Sequence, residues 1–176
     1  SAFITMKNIL FILCFTLIIH TAQAQQSIWN ACREGDKTTV ESLLKQGVSI
    51  DTQDHKGFTP LILAVYNQQT DLVKYLLEKG ANPDIADTSG NTALMGASFK
   101  GYTEIAQLLL VKKANPNIQN GNGATALSFA ATFGHLSLVK VLLQAGANKR
   151  LQDRFGNTPL KNALMQENTE IAELLK

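Results

Sequence analysis

The sequence predicts an all-α solenoid in which short antiparallel helix pairs stack side by side, and three observations support this prediction. A Thr-x-Leu motif recurs every 33 residues. Each copy follows a turn of the form Asp/Asn-x-x-Gly and precedes a second apolar segment that contains paired leucines. One such unit cannot bury its apolar stripe alone, whereas stacked neighbours share a continuous core. The repeat therefore indicates about five stacked units within residues 25–176.

The first helix of each unit begins at the recurring threonine. A turn glycine supplies a left-handed backbone, and the Asp or Asn bonds its own backbone. Threonine then caps the helix, and proline is tolerated at the first helical position because its missing N–H has no partner there. The motifs are Thr59-Pro60-Leu61, Thr92-Ala93-Leu94, Thr125-Ala126-Leu127 and Thr158-Pro159-Leu160.

The second helix of each unit follows a polar break and ends near a glycine. In one unit it carries the stripe Leu72, Val73, Leu76 and Leu77, and Gly80 follows in the position of a left-handed cap. We divide the domain into units 25–53, 54–86, 87–119, 120–152 and 153–176, of which the first contains an incomplete copy of the repeat.

Thr-Pro-Leu in a 33-residue period, paired leucines and Gly-Ala-Asn resemble the ankyrin repeat, over residues 26–176. The resemblance implies an ankyrin-repeat solenoid with turn or hairpin fingers projecting at right angles to the helix pairs. Three departures from the family pattern stand out. Lys113 replaces the cap glycine, and Gln68 and Glu167 replace the glycine between the two helices. We expect Lys113 to adopt the left-handed conformation of the glycine it replaces.

Residues 1–24 are expected to be a removable export signal, in which residues 1–5 are an upstream remnant ahead of Met6. Basic Lys7, the apolar run 9–19 and the small-x-small site 22–24 follow in the order that signal peptides have. The run is too short to span a bilayer, and the three-part order disfavours the alternative of a buried helix. We expect Gln25 to be the mature N-terminus, a periplasmic or secreted bacterial location, and no stable membrane insertion after cleavage.

Composition argues against several function classes. Lys and Arg total 16 against 14 for Asp and Glu, a formal net charge of +2. This charge is too small for a protein that holds nucleic acid by its phosphates. The 3 histidines and 2 cysteines show no metal-ligand spacing. Neither a nucleophile with its base nor a phosphate-binding loop is recognisable. The sequence therefore predicts that the protein is not an enzyme and has no cofactor or metal.

Two residues with reactive side chains are explained by the repeat. Cys32 occupies a small-to-medium core position, which Val65 and Ala131 fill in other units, so we expect a packed, inert thiol. His135 follows Gly134, as in the family's Gly-His pair, and is expected to begin a helix rather than act as a base.

The last unit carries two groups of charges. Glutamates on its second helix suit a terminal unit that faces solvent. A basic cluster admits two interpretations, a patch for an acidic partner or a solvated loop whose charges point to different faces. The cluster consists of Lys149, Arg150, Arg154 and Lys161.

The resemblance implies that a partner binds at the fingers and at the exposed ends of the first helices. Tyr66, Phe99 and Met165 fall at such ends in register with the repeat. The predicted protein-binding face comprises Tyr66, Phe99 and Phe133, flanked by Lys56, Phe58 and Lys100. The alternative is that each ring packs against the neighbouring unit or against the base of its finger.

These observations predict a non-catalytic protein–protein interaction module that is monomeric and acts in the periplasm or outside the cell. The alternative is a secreted effector or a toxin-neutralising immunity protein that binds one enzyme. In both cases the partner is another protein, and the sequence does not identify it.

Overall fold

The computed structural model describes residues 23–24 and 27–176. The expected export signal, apart from residues 23–24, and the expected new N-terminus at Gln25 lie outside the described residues. Within that part of the chain the regular structure is entirely helical, and the fingers are turns. The helices are α1 (27–34), α2 (Lys37–Lys45), α3 (Pro60–Tyr66), α4 (Thr70–Glu78), α5 (Ala93–Lys100), α6 (Thr103–Val111), α7 (Ala126–Thr132), α8 (Leu136–Gln144), α9 (Pro159–Met165) and α10 (Thr169–Leu175).

The helices form two layers, as the repeat predicts. The first helices of successive units, α3, α5, α7 and α9, pack against one another in chain order. The second helices, α4, α6, α8 and α10, form the other layer, and each packs on the first helix of its own unit. One core runs between the layers, because the leucines and alanines of every unit meet those of the next.

The predicted threonine caps are confirmed at the starts of α3, α5, α7 and α9. The Thr59 hydroxyl accepts a hydrogen bond from the Ile62 N–H at 3.1 Å, and the same bond recurs at the other recurring threonines. In α7 the Ser128 hydroxyl also accepts from the Thr125 N–H, which completes a capping box. Each of these first helices has only seven or eight residues and would be marginal in isolation, so the caps help to stabilise it and make it begin at the equivalent residue of each unit.

The fingers, which are the turns 54–57, 87–90, 120–123 and 153–156, are hydrogen-bonded to one another. The Thr88 N–H donates to the Lys56 carbonyl at 3.0 Å, and the Gly121 N–H donates to the Ser89 carbonyl at 2.9 Å. The Arg154 N–H donates to the Asn122 carbonyl at 2.8 Å. Each finger is thereby fixed on the preceding one.

A second set of hydrogen bonds joins the units at the base of the fingers. The Asn82 N–H donates to the Asp51 carboxylate at 3.0 Å, and the Asn115 N–H donates to the Asp84 carboxylate at 2.8 Å. The equivalent bond from the Asn148 N–H reaches a side-chain oxygen of Asn117. Acidic residues of this region therefore have structural roles within the stack.

The left-handed backbone expected at Lys113 is confirmed. Its φ is 64°, compared with 90° and 84° at the cap glycines Gly80 and Gly146. Gln68 and Glu167, which replace glycine between helices, also have positive φ values of 55° and 56°. A residue with a Cβ is strained in this conformation, so the repeat geometry imposes a local cost at all three positions.

Replacing Lys113 by glycine is expected to raise the free energy of unfolding by up to about 1 kcal/mol, because the substitution removes this strain. The matched control is Lys112→Gly. Lys112 is also exposed, but it has an ordinary φ of −87°. That substitution should lower stability, because glycine gains flexibility in the unfolded chain without relieving strain. Urea unfolding of both variants measures the difference, and a loss at Lys113→Gly contradicts the strain argument.

Candidate functional site

Two predicted site residues form an exposed aromatic pair on the layer of first helices. Phe99 lies near the end of α5 and Phe133 directly follows α7; they are 42% and 48% exposed. Their ring centroids are 4.8 Å apart in an edge-to-face arrangement. Such a pair presents apolar area in a fixed geometry. The structure thus brings these two residues together although Phe133 lies one position out of register with the repeat.

Tyr66 lies closer to the core than Phe99 and Phe133. Its ring is half-buried against Gly96 of the next unit, where an added Cβ would lie 3.3 Å from the Tyr66 Cζ. The Phe58 ring packs on it with a centroid distance of 6.0 Å. Burial, with a smaller contribution from the nearby Asp87 carboxylate, raises the pKa of the Tyr66 hydroxyl. The alternative of packing against the neighbouring unit therefore applies to Tyr66 in part.

Tyr66 and Phe99 nevertheless share one groove. This depression has a volume of about 170 Å³ and extends from α3 across α5 to α7. Its walls combine aromatic rings with a methionine and the side-chain amide of the residue that follows the second finger. The lining residues are Tyr66, Asn91, Met95, Phe99 and Phe129. The groove lies between the half-buried Tyr66 ring and the Phe99 ring, and Phe133 of the aromatic pair is not among its lining residues.

Asn91, Met95 and Phe129 line the groove but were not among the predicted site residues, and Phe129 is the aromatic one of the three. Its ring lies 6.3 Å from the Phe99 ring, edge-on. Within the repeat it occupies the position of Leu63 and Gly96. Aligning the units at this position could have identified Phe129 as a site residue. Gly96 leaves room for the Tyr66 ring of the preceding unit, whereas Phe129 contacts the Phe99 ring of the preceding unit.

The flanking residues of the predicted face lie at different distances from the aromatic pair. The Lys100 ammonium lies 5.7 Å from the centre of the Phe99 ring, within the range of a cation–π contact. Phe58 packs on the Tyr66 ring, which lines the groove together with Phe99. Lys56 is exposed in its finger, two residues before Phe58, and its carbonyl joins that finger to the next.

His135 supports the aromatic pair. It precedes α8, as predicted. Its Nε2 lies 3.2 Å from the Phe99 carbonyl oxygen, and because a carbonyl oxygen can only accept, Nε2–H is the donor in this hydrogen bond. Its ring stacks on Phe133 at a centroid distance of 6.4 Å. It also fills the space beside Gly101, where an added Cβ would lie 2.7 Å from the His135 Nδ1. Its contacts are those of a packing residue.

Cys32 is buried, as expected, in α1. Burial raises the pKa of its thiol to about 12, and the nearby Arg33 guanidinium opposes this only weakly. The thiol therefore stays protonated at neutral pH, which removes the thiolate that nucleophilic chemistry needs.

The described residues contain no cluster of three or more potential metal ligands among His, Cys, Asp and Glu. Across residues 23–24 and 27–176, no helix combines the length and apolar character needed to cross a bilayer. The basic cluster near the last finger is partly engaged within the unit, since the Arg154 guanidinium lies 4.7 Å above the Phe155 ring.

A family model described as "Ankyrin repeats (3 copies)" matches residues 28–120 and again residues 94–176. The two matches overlap and together extend from the first helix to the end of the chain. No curated protein matches the sequence.

Proposed function

Because the chain belongs to the ankyrin-repeat family, whose stacks are protein–protein interaction modules, we propose that it binds a protein partner through the exposed ends of its first helices. The binding face consists of Tyr66, Phe99 and Phe133 with Lys56, Phe58 and Lys100. The exposed Phe99–Phe133 pair is the observation that supports this proposal most directly. Aromatic residues, phenylalanine included, are enriched at protein interfaces and bury a large apolar area there.

The groove beside the pair gives the partner a place to anchor. Its lining is mainly apolar, with the Asn91 side chain as a polar element, and its volume of about 170 Å³ suits one large apolar side chain rather than a folded segment. A partner residue inserted there would contact Tyr66, Phe99 and Phe129 together. The half-buried position of Tyr66 suits it to the floor of the groove, because neighbouring contacts already restrict its ring.

The charges near the face favour a partner with carboxylates around this anchor. Lys56 and Lys100 are exposed. Nearby acidic groups are instead engaged in the fingers, where the Asp54 carboxylate accepts the Lys56 and Phe58 N–H groups. Lysines at the rim of an apolar centre contribute mainly to the rate and specificity of association.

Replacing Phe99 and Phe133 together by serine is expected to weaken capture of the partner at least about tenfold, because interface aromatics contribute a large share of affinity. Both rings are substantially exposed, so helical circular dichroism and cooperative melting should remain close to wild type. The measurement is pull-down from extracts of the source organism, with captured proteins quantified by mass spectrometry.

The matched control for this experiment is Val111→Ser. Val111 is 77% exposed at the end of α6, in the other layer of helices. This variant should capture the same protein as wild type. A folded double variant that also retains capture would place the binding face elsewhere. If the captured partner is a single toxic enzyme, the immunity alternative replaces a general interaction role.

We also propose that the module acts in the periplasm or outside the cell. The support is the signal-peptide pattern of residues 1–24, including the small-x-small site that ends at Ala24. Cell fractionation with N-terminal sequencing tests it, and Gln25 is the expected first residue of the exported form. An uncleaved cytoplasmic protein would contradict this proposal and leave the binding proposal untouched.

A further inference from the structure

A second groove lies between α2 and α4, on the layer of second helices, and we call it the Tyr75 groove. Its volume is about 350 Å³, and it is open to solvent. The two helices and the loop after α2 form its walls. Its apolar lining consists of Leu44, Val48, Ile50 and Tyr75.

The apolar lining is larger than the repeat requires. Each of the three following units has a buried alanine at the position of Val48, namely Ala81, Ala114 and Ala147. Val48 is instead only half-buried, as are Ile50 and Tyr75. Stacking therefore does not account for the size of these side chains. They leave apolar area in contact with solvent, as an interaction site does.

The charged lining of the Tyr75 groove has an excess of lysine. Lys45 on α2 and Lys79 on α4 are exposed on its two walls, and the Lys79 ammonium lies 5.6 Å from the centre of the Tyr75 ring. Glu41 is the acidic lining residue, and its carboxylate lies 3.8 Å from the Lys37 ammonium. Within the part of the chain that the structure describes, no carboxylate forms an ion pair with Lys45 or Lys79.

Other charges near the groove leave this excess in place. Lys74 and Glu78 are exposed on α4 near Tyr75 and offset each other. The Asp51 carboxylate, which follows the loop, accepts the Asn82 N–H at 3.0 Å and is thereby held at the base of the fingers. The groove thus combines an apolar floor with two lysines that lack a partner charge, which is complementary to an apolar group flanked by carboxylates.

The shape of the groove favours a protein segment as its occupant. Small molecules are typically bound in pockets that bury about 70–90% of their surface, which an open groove does not provide. A bilayer surface requires apolar side chains that project into it, whereas those of the groove are half-buried. A peptide segment can cross an open groove, insert one side chain and place its neighbours over the rim.

We propose that the Tyr75 groove binds an acidic segment of a partner protein. One large apolar side chain of the segment packs against Tyr75 and Leu44, and carboxylates beside it lie next to Lys45 and Lys79. The Tyr75 hydroxyl is a further hydrogen-bond donor for such a carboxylate. This is a second binding site, on the other layer of helices from Phe99 and Phe133, and it does not depend on the first.

Titration of the isotope-labelled protein with three short peptides, followed by NMR, tests the proposal. Each peptide has capped ends and a central phenylalanine, with two glutamates, two glutamines or two lysines on either side. The glutamate peptide should shift the amide resonances of residues 41–50 and 75–79 with a dissociation constant of about 1 mM or lower. It should bind at least about tenfold more tightly than the glutamine peptide. The absence of these shifts at about 10 mM glutamate peptide overturns the proposal.

Charge reversal tests the role of the two lysines. The variant with Lys45→Glu and Lys79→Glu should bind the glutamate peptide at least about tenfold more weakly and should bind the lysine peptide more tightly than wild type does. The matched control reverses Lys112 and Lys140, two exposed lysines of the same layer outside the groove, and should bind as wild type does. Equal losses in the two variants would mean that net charge attracts the peptide, which contradicts the proposal.

Tyr75→Ser tests the apolar part of the site. It should weaken binding of the glutamate peptide at least about threefold, because an interface tyrosine contributes strongly to affinity. Val111→Ser removes a more exposed apolar side chain of the same layer outside the groove and should have no effect. Circular dichroism verifies that both variants fold. A folded Tyr75→Ser variant that binds like wild type contradicts the proposed apolar contact.

Vesicles of phosphatidylcholine with about 30% phosphatidylglycerol distinguish a bilayer from a protein segment. Wild type should not sediment with them, and sedimentation that is lost when Lys45 and Lys79 are reversed would overturn the proposal in favour of an anionic membrane surface. The Phe99→Ser, Phe133→Ser double variant should retain the peptide shifts at residues 41–50 and 75–79. Failure of one binding site therefore leaves the other untouched.

Discussion

Replacing Gly90 by alanine is expected to lower the free energy of unfolding by about 3 kcal/mol or more, because two costs coincide at this finger. Gly90 has a φ of 83°, where a residue with a Cβ is strained. The added Cβ would also lie 2.9 Å from the backbone nitrogen of Gly121 in the next finger. That nitrogen is fixed by its hydrogen bond to the Ser89 carbonyl, so it cannot retreat without breaking the link between fingers.

The control for this prediction is Gly156→Ala in the last finger. Gly156 has a similar φ of 75°, but its added Cβ would meet nothing within 4 Å. Only the backbone strain remains, and the expected loss is about 1 kcal/mol. Urea unfolding followed by circular dichroism measures both variants. Equal losses at the two glycines would show that close contact between fingers contributes nothing beyond the strain.

Much of the fold follows from the repeat, because the same capping threonine and turn glycine recur every 33 residues. The cap at Thr59 and the left-handed backbone at Lys113 could both be predicted, since each depends on a few neighbouring residues. The hydrogen bonds between fingers could not, because the Thr88 N–H and the Lys56 carbonyl meet only once the spacing of adjacent units is known. Local chemistry determines the unit, and stacking determines the contacts between units.

The candidate site was predictable to a smaller extent. The 33-residue spacing predicted that Tyr66 and Phe99 occupy equivalent positions. The two rings nevertheless differ in exposure, because Tyr66 packs over Gly96 whereas Phe99 contacts the larger Phe129. Phe133 joins Phe99 although it is out of register. Side-chain size in the following unit decides how far each ring projects, and a motif within one unit contains no information about it.

Leu127→Ala is the prediction that tests the stack as a whole. Leu127 is fully buried in α7, which packs against α5 on one side and α9 on the other. Truncating it leaves a cavity at the centre of the layer, and the expected loss is about 2–5 kcal/mol. Because each unit is stabilised mainly by its neighbours, the coupling between the units on either side of α7 should weaken as well.

Leu160→Ala makes the same chemical change at the equivalent position of the last unit. Leu160 is only half-buried, and the space beside it is open to solvent, so the expected loss is about 1 kcal/mol. Urea unfolding gives both free energies. Leu127→Ala should also broaden the transition, because the C-terminal units can then unfold before the rest. Losses of equal size in the two variants, with equally sharp transitions, would mean that burial between units is not what stabilises this chain.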